Sequence, residues 1–317
     1  MPTWLMFPFC SIPPQSCHCF ITLGFDETMN PPRLRDRLFL QEDLNFLLTN
    51  RIPRILLTRL MGRYSAIKSP LLTRFSIAVW RMFTDLDLSE ARQQKFESLR
   101  ECFIRELKPG ARTVDLDSQL LTSPCDAIVG ACGTVEGVDV FQAKGYPYSI
   151  RELFGPSQDI TPFTDGTYVT LRLTSAMYHR FHAPYDGQLD HVTYISGDVW
   201  NVNPIALKRV ERLFCKNERA VLRTRVGVAQ YPLALVPVAA VLVASIRLHA
   251  MNVLMHLGWS GPHEIPSAQS FKKGEELGWF EHGSTIIVFA PKGFQLAAGI
   301  TSGQRIRMGQ PLMHLPD

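Results

Sequence analysis

The feature that most constrains the fold is an uncharged stretch over residues 226–246, which lies between Arg225 and Arg247. Its length suits a helix that crosses a membrane, and such a helix would make the chain an integral membrane protein. However, the stretch contains Pro232 and Pro237, which remove backbone donors, and it is rich in Val and Ala rather than Leu. We therefore expect two buried strands with a break marked by the prolines, and a membrane span is the alternative.

The chain after residue 108 has a strand-like pattern throughout. Short apolar runs alternate with Gly, Pro and Asp, and helical patches are few. The expected strands cover residues 127–129, 133–140, 166–173, 188–194, 221–228, 238–246 and 284–290, and the expected helical patches cover residues 150–154 and 203–213. This pattern predicts an α+β fold, with a mainly β domain over residues 108–317 and helices on its N-terminal side.

Residues 45–107 are predicted to be helical. Pro53 and Pro70 suit helix starts, leucines recur at helical spacing after both, and no Asp or Glu lies between Asp43 and Asp85. Two helices could simply pack on the core and expose a cationic face. The acid-free run favours amphipathic helices that lie on an anionic membrane. A further helix is expected over residues 85–107, with Ser89 as its cap.

The first part of the chain, residues 1–44, looks like an irregular extension without recognisable chemistry. The ligands of Cys17-His18-Cys19 are too close together for the usual metal geometry, so we expect no metal.

Seven cysteines, an odd number, suit reduced thiols in a cytoplasm-facing protein. No basic segment of a signal peptide precedes the apolar N-terminus. The net charge of +4 is too small for the whole molecule to bind polyanions, so no nucleic-acid partner is expected.

The sequence Gly283-Ser284-Thr285, just before an apolar run, has two interpretations. As an isolated pattern it is a turn that enters a strand, because Gly adopts unusual backbone angles and Ser and Thr bond locally. The chemical alternative is attack of the Ser284 hydroxyl on the unhindered Gly283 carbonyl, which turns the amide into an ester. β-Elimination from that ester leaves dehydroalanine, which becomes a pyruvoyl group at a new N-terminus. This alternative needs a base that is held by an acid.

Two segments supply titratable groups of this kind. Asp126 follows Pro124 just before a predicted strand, where an aspartate is usually a turn former. His179 and His182 lie three residues apart in Tyr178-His179-Arg180-Phe181-His182-Ala183-Pro184. Such a pair can bind a metal, act as bases or be structural, and the structural role is the default for this segment alone.

Taken together in chain order, these segments resemble phosphatidylserine decarboxylase of the bacterial, membrane-associated type. The similarity covers roughly residues 45–315 by motif order, and residues 1–44 lie outside it. The matching landmarks are Phe103-Ile104-Arg105-Glu106-Leu107, Ser123-Pro124-Cys125-Asp126, Gln142-Ala143-Lys144-Gly145 with Tyr148-Ser149, the Tyr178–Pro184 segment, Gly197-Asp198, Val202-Asn203-Pro204, Leu213-Phe214 with Asn217-Glu218-Arg219, Gly283-Ser284-Thr285, Lys292-Gly293 and Gly309-Gln310-Pro311-Leu312.

The chain departs from the family pattern at a few positions. Ala127 stands where the family usually has Gly, and His282 stands where it usually has Leu before Gly-Ser-Thr. The glycines that are common in the buried strand appear as Ala239 and Ala244. None of these changes removes a reactive group, although His282 adds an imidazole beside the expected cleavage site.

The resemblance implies a role for each candidate residue. Ser284 would be the nucleophile and the future pyruvoyl group, and His182 would be its base, oriented by Asp126 in an Asp-His-Ser relay. His179 would act on the substrate side, in decarboxylation or reprotonation. Cleavage between Gly283 and Ser284 would leave a β chain of residues 1–283 and an α chain of residues 284–317, which stay associated.

The resemblance also implies the reaction and its setting. Phosphatidylserine would form a Schiff base with the pyruvoyl cofactor, lose CO2 and leave as phosphatidylethanolamine. We expect the enzyme to be peripheral on the cytoplasmic side of the inner membrane, and the family suggests a homodimer. A serine hydrolase with the same triad and a non-catalytic membrane-surface module are the alternatives. A hydrolase would stay one chain and resist carbonyl reagents, and the module would release no CO2.

Overall fold

The computed structural model describes residues 42–51, 53–142, 146–156, 158–242, 245–251, 253–256, 263–281 and 284–316. The predictions for residues 1–41, including that for Cys17-His18-Cys19, therefore lie outside the described residues. So do Ala244, His282 and Gly283.

Helices make up the N-terminal part, as the sequence predicts. They are α1 (Glu42–Asn50), α2 (Arg54–Ser65), α3 (Pro70–Phe83) and the short α4 (Leu99–Phe103). Pro53 directly precedes α2, and Pro70 is the first residue of α3, where its missing N–H costs no hydrogen bond. The Ser69 side chain caps α3 by accepting from the Leu72 N–H.

The helix expected over residues 85–107 is wrong in extent, since only Leu99–Phe103 is helical. The cap is Ser98, whose hydroxyl accepts from the Glu101 N–H at 3.2 Å, and not Ser89. The Asp87 carboxylate accepts from both the N–H and the hydroxyl of Ser89, at 2.8 and 2.9 Å. This local turn competes with helix formation, as Asp and Ser often do.

The rest of the chain is mainly β, which confirms the predicted α+β class. The strands are β1 (Leu120–Thr122), β2 (Ala127–Thr134), β3 (Asp139–Phe141), β4 (Pro147–Ser149), β5 (Thr167–Leu173), β6 (Arg180–His182), β7 (Gly187–Ile195), β8 (Arg219–Val226), β9 (Tyr231–Ala239), β10 (Ser245–Leu248), β11 (Val253–His256), β12 (Glu264–Phe271), β13 (Glu276–Phe280), β14 (Ser284–Ala290), β15 (Gln295–Leu296), β16 (Arg305–Ile306) and β17 (Pro311–His314). Between them lie α5 (Ile150–Phe154), α6 (Pro204–Arg209), α7 (Leu213–Lys216) and two 3-10 turns, Thr161–Phe163 and His249–Met251.

The strands form a large antiparallel sheet with the order β12-β7-β8-β9-β14-β5-β2-β16. A second sheet has the order β11-β10-β13-β6, and the smaller ones are β1-β17-β15 and the hairpin β3-β4. All seven residues of β14 are buried, so this strand is covered on both faces, which explains its continuous apolar sequence. The chain therefore places Ser284 at the first position of a central strand.

Two predicted strands differ from the structure. Residues 133–140 are divided between the end of β2 and the beginning of β3, with Gly137 in the left-handed region between them. Residues 238–246 are divided between β9 and β10.

The break expected at the prolines of residues 226–246 falls elsewhere. Pro232 and Pro237 lie inside β9, and the chain reverses at residues 227–230, where Gly227 and Gln230 have positive φ. The stretch does form strands, as predicted, and no helix among the described residues is long and apolar enough to cross a membrane.

The N-terminal helices contact the β domain through polar anchors. The Arg54 guanidinium binds the Asp198 carboxylate at 2.6 Å and stacks on the Trp200 ring. The Thr58 hydroxyl accepts from the Leu242 N–H at 2.9 Å. These contacts fix α2 beside the end of β9, and β9 ends next to Ser284.

Candidate active site

Ser284 lies at the end of the central strand, paired with Leu173 of β5 on one side and Ala239 of β9 on the other. Its side chain has no exposed surface, and its hydroxyl has no hydrogen-bond partner among the described residues. Buried hydroxyl groups usually have a partner, because an unsatisfied one costs about 1–3 kcal/mol. A chemical role of the hydroxyl is one physical reason for such a position.

Asp126 lies directly before β2 and is buried. Its Oδ1 accepts from the Arg112 Nε at 2.8 Å and from the Met308 N–H at 2.9 Å, and its Oδ2 accepts from the Arg112 Nη2. Arg112 also binds Glu90 at 2.8 Å, so one guanidinium joins two carboxylates. The fork of an arginine matches a carboxylate in two hydrogen bonds, and this contact fixes the position of the Asp126 carboxylate.

His182 ends β6 and is buried, with both ring nitrogens occupied. Because the Gly274 carbonyl can only accept, the contact of 2.9 Å means that Nδ1 carries the proton and donates it. In the neutral ring Nε2 then accepts from the Tyr178 hydroxyl, also at 2.9 Å. Burial lowers the pKa of His182 below its ordinary value, while the nearby charges of Glu276 and Asp126 oppose that lowering. The ring is therefore kept neutral and able to act as a base.

His179 is fully buried three residues earlier. Its Nδ1 donates to the Met177 carbonyl at 2.8 Å, and its ring packs on Phe103 with 4.1 Å between the centroids. The backbone N–H of Phe280 donates to the His179 carbonyl, whereas His182 pairs with Glu276. His179 therefore lies at the end of β13 that leads towards Ser284, and His182 lies further along the same strand pair.

The fold brings the segments of Asp126 and His182 together, since the His182 N–H donates to the Pro124 carbonyl at 2.8 Å. However, the side chains of Asp126 and His182 have other partners, and no hydrogen bond joins them among the described residues. The Gly274 carbonyl fixes the imidazole tautomer, a role that the sequence assigns to Asp126. A charged guanidinium binds a carboxylate more strongly than a neutral imidazole does, which explains this pairing. The relay itself stays a prediction.

Sequence reasoning missed Arg112 as the partner of Asp126, and it noted Tyr178 only as part of a motif. Arg112 lies in a loop well before Asp126, and nothing in its immediate sequence indicates a pairing that depends on tertiary structure. Tyr178 lies four residues before His182, and burial raises the pKa of its hydroxyl, which keeps it a hydrogen-bond donor.

A cavity of about 730 Å³ adjoins the strand ends beside Ser284. Its wall includes Leu173, the partner of Ser284, and Ala240, which follows the other partner. Phe103, which covers His179, lines it as well. Its remaining apolar wall comes largely from α2 and α3, at Met61, Tyr64, Phe75, Val79, Trp80 and Phe83. This arrangement suits a ligand with a large apolar part and a polar end.

The family model described as phosphatidylserine decarboxylase matches residues 99–314, which include the candidate residues Asp126, His179, His182 and Ser284. The chain belongs to the phosphatidylserine decarboxylase family. It is accordingly an enzyme of the lyase class, a decarboxylase.

Curated members of the phosphatidylserine decarboxylase family resemble the chain over most of its length. The phosphatidylserine decarboxylase proenzyme of Shewanella frigidimarina is 34% identical over 288 residues, which are 86% of this chain and 99% of the relative. That of Shewanella baltica is 36% identical and covers 84% and 94% of the two chains. That of Vibrio parahaemolyticus is 37% identical and covers 82% and 94%.

Proposed function

We propose that this chain is a precursor that cleaves itself between Gly283 and Ser284 and then converts phosphatidylserine to phosphatidylethanolamine and CO2. The observation that carries the proposal is the Ser284 hydroxyl, which is buried without a hydrogen-bond partner among the described residues, at the first position of a central strand. The family membership and the relatives named as proenzymes support the same conclusion.

Cleavage begins when a base takes the proton of the Ser284 hydroxyl and the oxygen attacks the Gly283 carbonyl carbon. The C–N bond of the amide breaks, an ester forms, and the former amide nitrogen becomes the amine of Ser284. β-Elimination then removes the α-proton and releases Gly283 as a carboxylate. Addition of water to the resulting dehydroalanine releases ammonia and leaves the pyruvoyl group.

We assign the base to His182, which is neutral and holds its proton on Nδ1 towards the Gly274 carbonyl. This tautomer leaves Nε2 as the proton acceptor, which must exchange the Tyr178 hydroxyl for that of Ser284. The charge of Asp126 stabilises the imidazolium that forms, in agreement with its electrostatic effect on the ring. Asp126, His182 and Ser284 then act as the relay that the sequence predicts.

The two chains are expected to stay together after cleavage because of the position of β14. The smaller chain begins with this strand, which pairs with β5 and β9 in the middle of the large sheet. It also supplies β16, which pairs with β2, and β17, which pairs with β1. Separation would expose the fully buried β14 and break its backbone hydrogen bonds, so cleavage leaves the fold intact.

The residues around Ser284 fit a pyruvoyl group and its substrate. When formed, the pyruvoyl carbonyl supplies the electron sink for the bond that loses CO2, as pyridoxal phosphate does elsewhere. His179, held by the Met177 carbonyl and covered by Phe103, returns the proton on the substrate side. The apolar cavity accommodates the glycerol and the first part of the acyl chains.

We place the enzyme on the cytoplasmic surface of the inner membrane. Helix α3 exposes Leu71, Phe75, Met82 and Phe83, an apolar set that a bilayer can cover. Arg59, Arg63 and Arg74 are exposed nearby and attract anionic lipids by about 1 kcal/mol each. The homodimer that the family suggests stays a prediction.

The purified chain should give two masses under denaturing conditions, separated at the Gly283–Ser284 bond, with a blocked N-terminus on the smaller chain. It should also release labelled CO2 from phosphatidylserine that carries the label in its carboxyl group. Hydroxylamine or another carbonyl reagent should stop this release. A single full-length chain that is active but resists carbonyl reagents would instead identify a serine hydrolase.

Self-cleavage should keep its full rate to a lower pH than an ordinary imidazole base allows. Burial lowers the pKa of His182 from 6.5, and only the neutral ring accepts the Ser284 proton, so the rate falls as the pH drops through the lowered pKa. The measurement is the cleaved fraction over time for freshly translated precursor at a series of pH values. A half-maximal rate at a pH above 6.5 contradicts the assignment of His182 in this environment.

A further inference from the structure

One charged side chain stands out in the wall of the cavity beside Ser284. Arg172, in β5, is the only charged residue among the described residues that line this cavity. It is partly buried, and the surrounding wall is largely apolar. A guanidinium at such a place needs a counter-ion, because burial of an unpaired charge is costly.

Arg172 has no such counter-ion within the described part of the protein. Among the described residues, no carboxylate lies within ion-pair distance of Arg172 and no group forms a hydrogen bond with its side chain. Arg54, Arg112 and Arg180, by contrast, each bind a carboxylate at 2.5–2.8 Å. Burial lowers the pKa of Arg172, and no acidic neighbour opposes the lowering. The Arg172 guanidinium is therefore available to bind an anion that is not part of the protein.

The strand register places Arg172 next to the reactive serine. Leu173 pairs with Ser284, and Arg172 pairs with Thr285. Apolar side chains of α2 and α3 line the same cavity. Arg172 therefore lines this cavity one residue before the strand partner of Ser284.

A serine phospholipid brings two anions to this place, the carboxylate of the head group and the phosphodiester. An arginine bound to the carboxylate would stabilise the negative charge that this group must lose as CO2 forms. It would therefore raise the activation barrier of decarboxylation. The phosphodiester keeps its charge throughout the reaction and lies between the amine and the acyl chains. Arginine is the side chain best suited to phosphate oxygens, since its fork donates two parallel hydrogen bonds.

We propose that Arg172 binds the phosphodiester of the serine phospholipid and thereby sets the distance of the head-group amine from residue 284. The proposal rests on the proposed function and adds the residue that recognises the lipid phosphate. It makes Arg172 a substrate-binding residue without a part in self-cleavage.

The first test compares Arg172→Gln with Arg172→Lys and with the control Arg225→Gln, which removes an exposed arginine of β8 that pairs with Asp190 of β7. Monomeric short-chain phosphatidylserine is the substrate, so that adsorption to a membrane does not enter. Arg172→Gln should cleave itself fully by mass and show a KM raised about ten- to a hundredfold, with a small change in kcat. Arg172→Lys should have a KM between those of Arg172→Gln and the unsubstituted chain, and the control Arg225→Gln should have the KM of the unsubstituted chain. An unchanged KM in Arg172→Gln overturns the proposal.

Inhibition by short-chain phosphatidylethanolamine separates the two anions, because this product keeps the phosphodiester and lacks the carboxylate. Its inhibition constant should rise in Arg172→Gln by about the same factor as the KM. If the KM rises and this constant does not, Arg172 holds the carboxylate and the proposal is wrong.

A measurement on the unsubstituted chain tests the proposal even if Arg172→Gln fails to fold or to cleave. Methylation of the phosphate oxygen of the short-chain substrate removes its charge and should raise the KM by a similar factor. In Arg172→Gln the same methylation should raise the KM only slightly further, because the arginine that binds the charge is already absent. An equal KM for the charged and methylated substrates refutes the proposal, whereas absence of cleavage and of CO2 release from the unsubstituted chain refutes the proposed function instead.

Discussion

Ser284→Ala should leave a full-length chain that releases no CO2 from phosphatidylserine above the uncatalysed rate. Without the hydroxyl no oxygen is present to attack the Gly283 carbonyl, so neither the second chain nor the pyruvoyl group can form. The fold should be kept, because the exchange removes one oxygen that has no hydrogen-bond partner among the described residues. A denaturing mass spectrum and a CO2 assay on the same sample measure both effects.

Two further variants make this result specific. Thr285→Val removes the neighbouring hydroxyl, which is equally buried and likewise without a partner in the described part of the chain, and it should still cleave. Ser284→Cys keeps a nucleophile at the same position and should cleave, although at a different rate. A cleaved Ser284→Ala chain would refute the pyruvoyl assignment.

The start of the central strand could be predicted to the residue, because its signals are local. An apolar run follows directly on Gly283-Ser284-Thr285, and the predicted strand 284–290 is the observed β14. The helix Ile150–Phe154 was predictable for the same reason. Where two local signals compete, the pattern alone does not decide between them. Ser89 and Ser98 are both possible caps, and the choice of Ser98 follows from the turn that Asp87 forms with Ser89.

The electrostatic partners within the site could not be predicted in the same way. Asp126, His182 and Ser284 are recognisable as chemical groups in a familiar order, but their hydrogen bonds depend on distant backbone and side chains. Gly274 lies far along the chain from His182, and only the tertiary structure brings its carbonyl to the ring. The position of Arg172 beside Ser284 likewise follows from the pairing of β5 with β14, which the sequence alone does not specify.

Replacing exposed leucine and methionine on α3 should prevent binding to anionic vesicles. Leu71 and Met82 are 81% and 62% exposed, and they lie about three helical turns apart, which puts them on one face of the helix. Transfer of each side chain into the acyl region contributes about 1.5–3 kcal/mol when it is fully buried. The double variant Leu71→Gln with Met82→Gln should therefore bind at least about a hundredfold more weakly in a sedimentation assay with phosphatidylserine-containing vesicles.

The matched control is Val228→Gln, at the turn between β8 and β9. Val228 is an exposed apolar residue as well, but it lies near the end of β9 that is remote from Ala239 and Ser284. Neither Leu71 nor Met82 lines the cavity, so the double variant should still cleave itself and turn over monomeric short-chain phosphatidylserine normally. Vesicle binding that is unchanged in the double variant contradicts membrane contact through α3. Binding that is lost equally in Val228→Gln would show that the apolar face of α3 is not the specific contact, and the route of the lipid to Ser284 would then have to begin elsewhere.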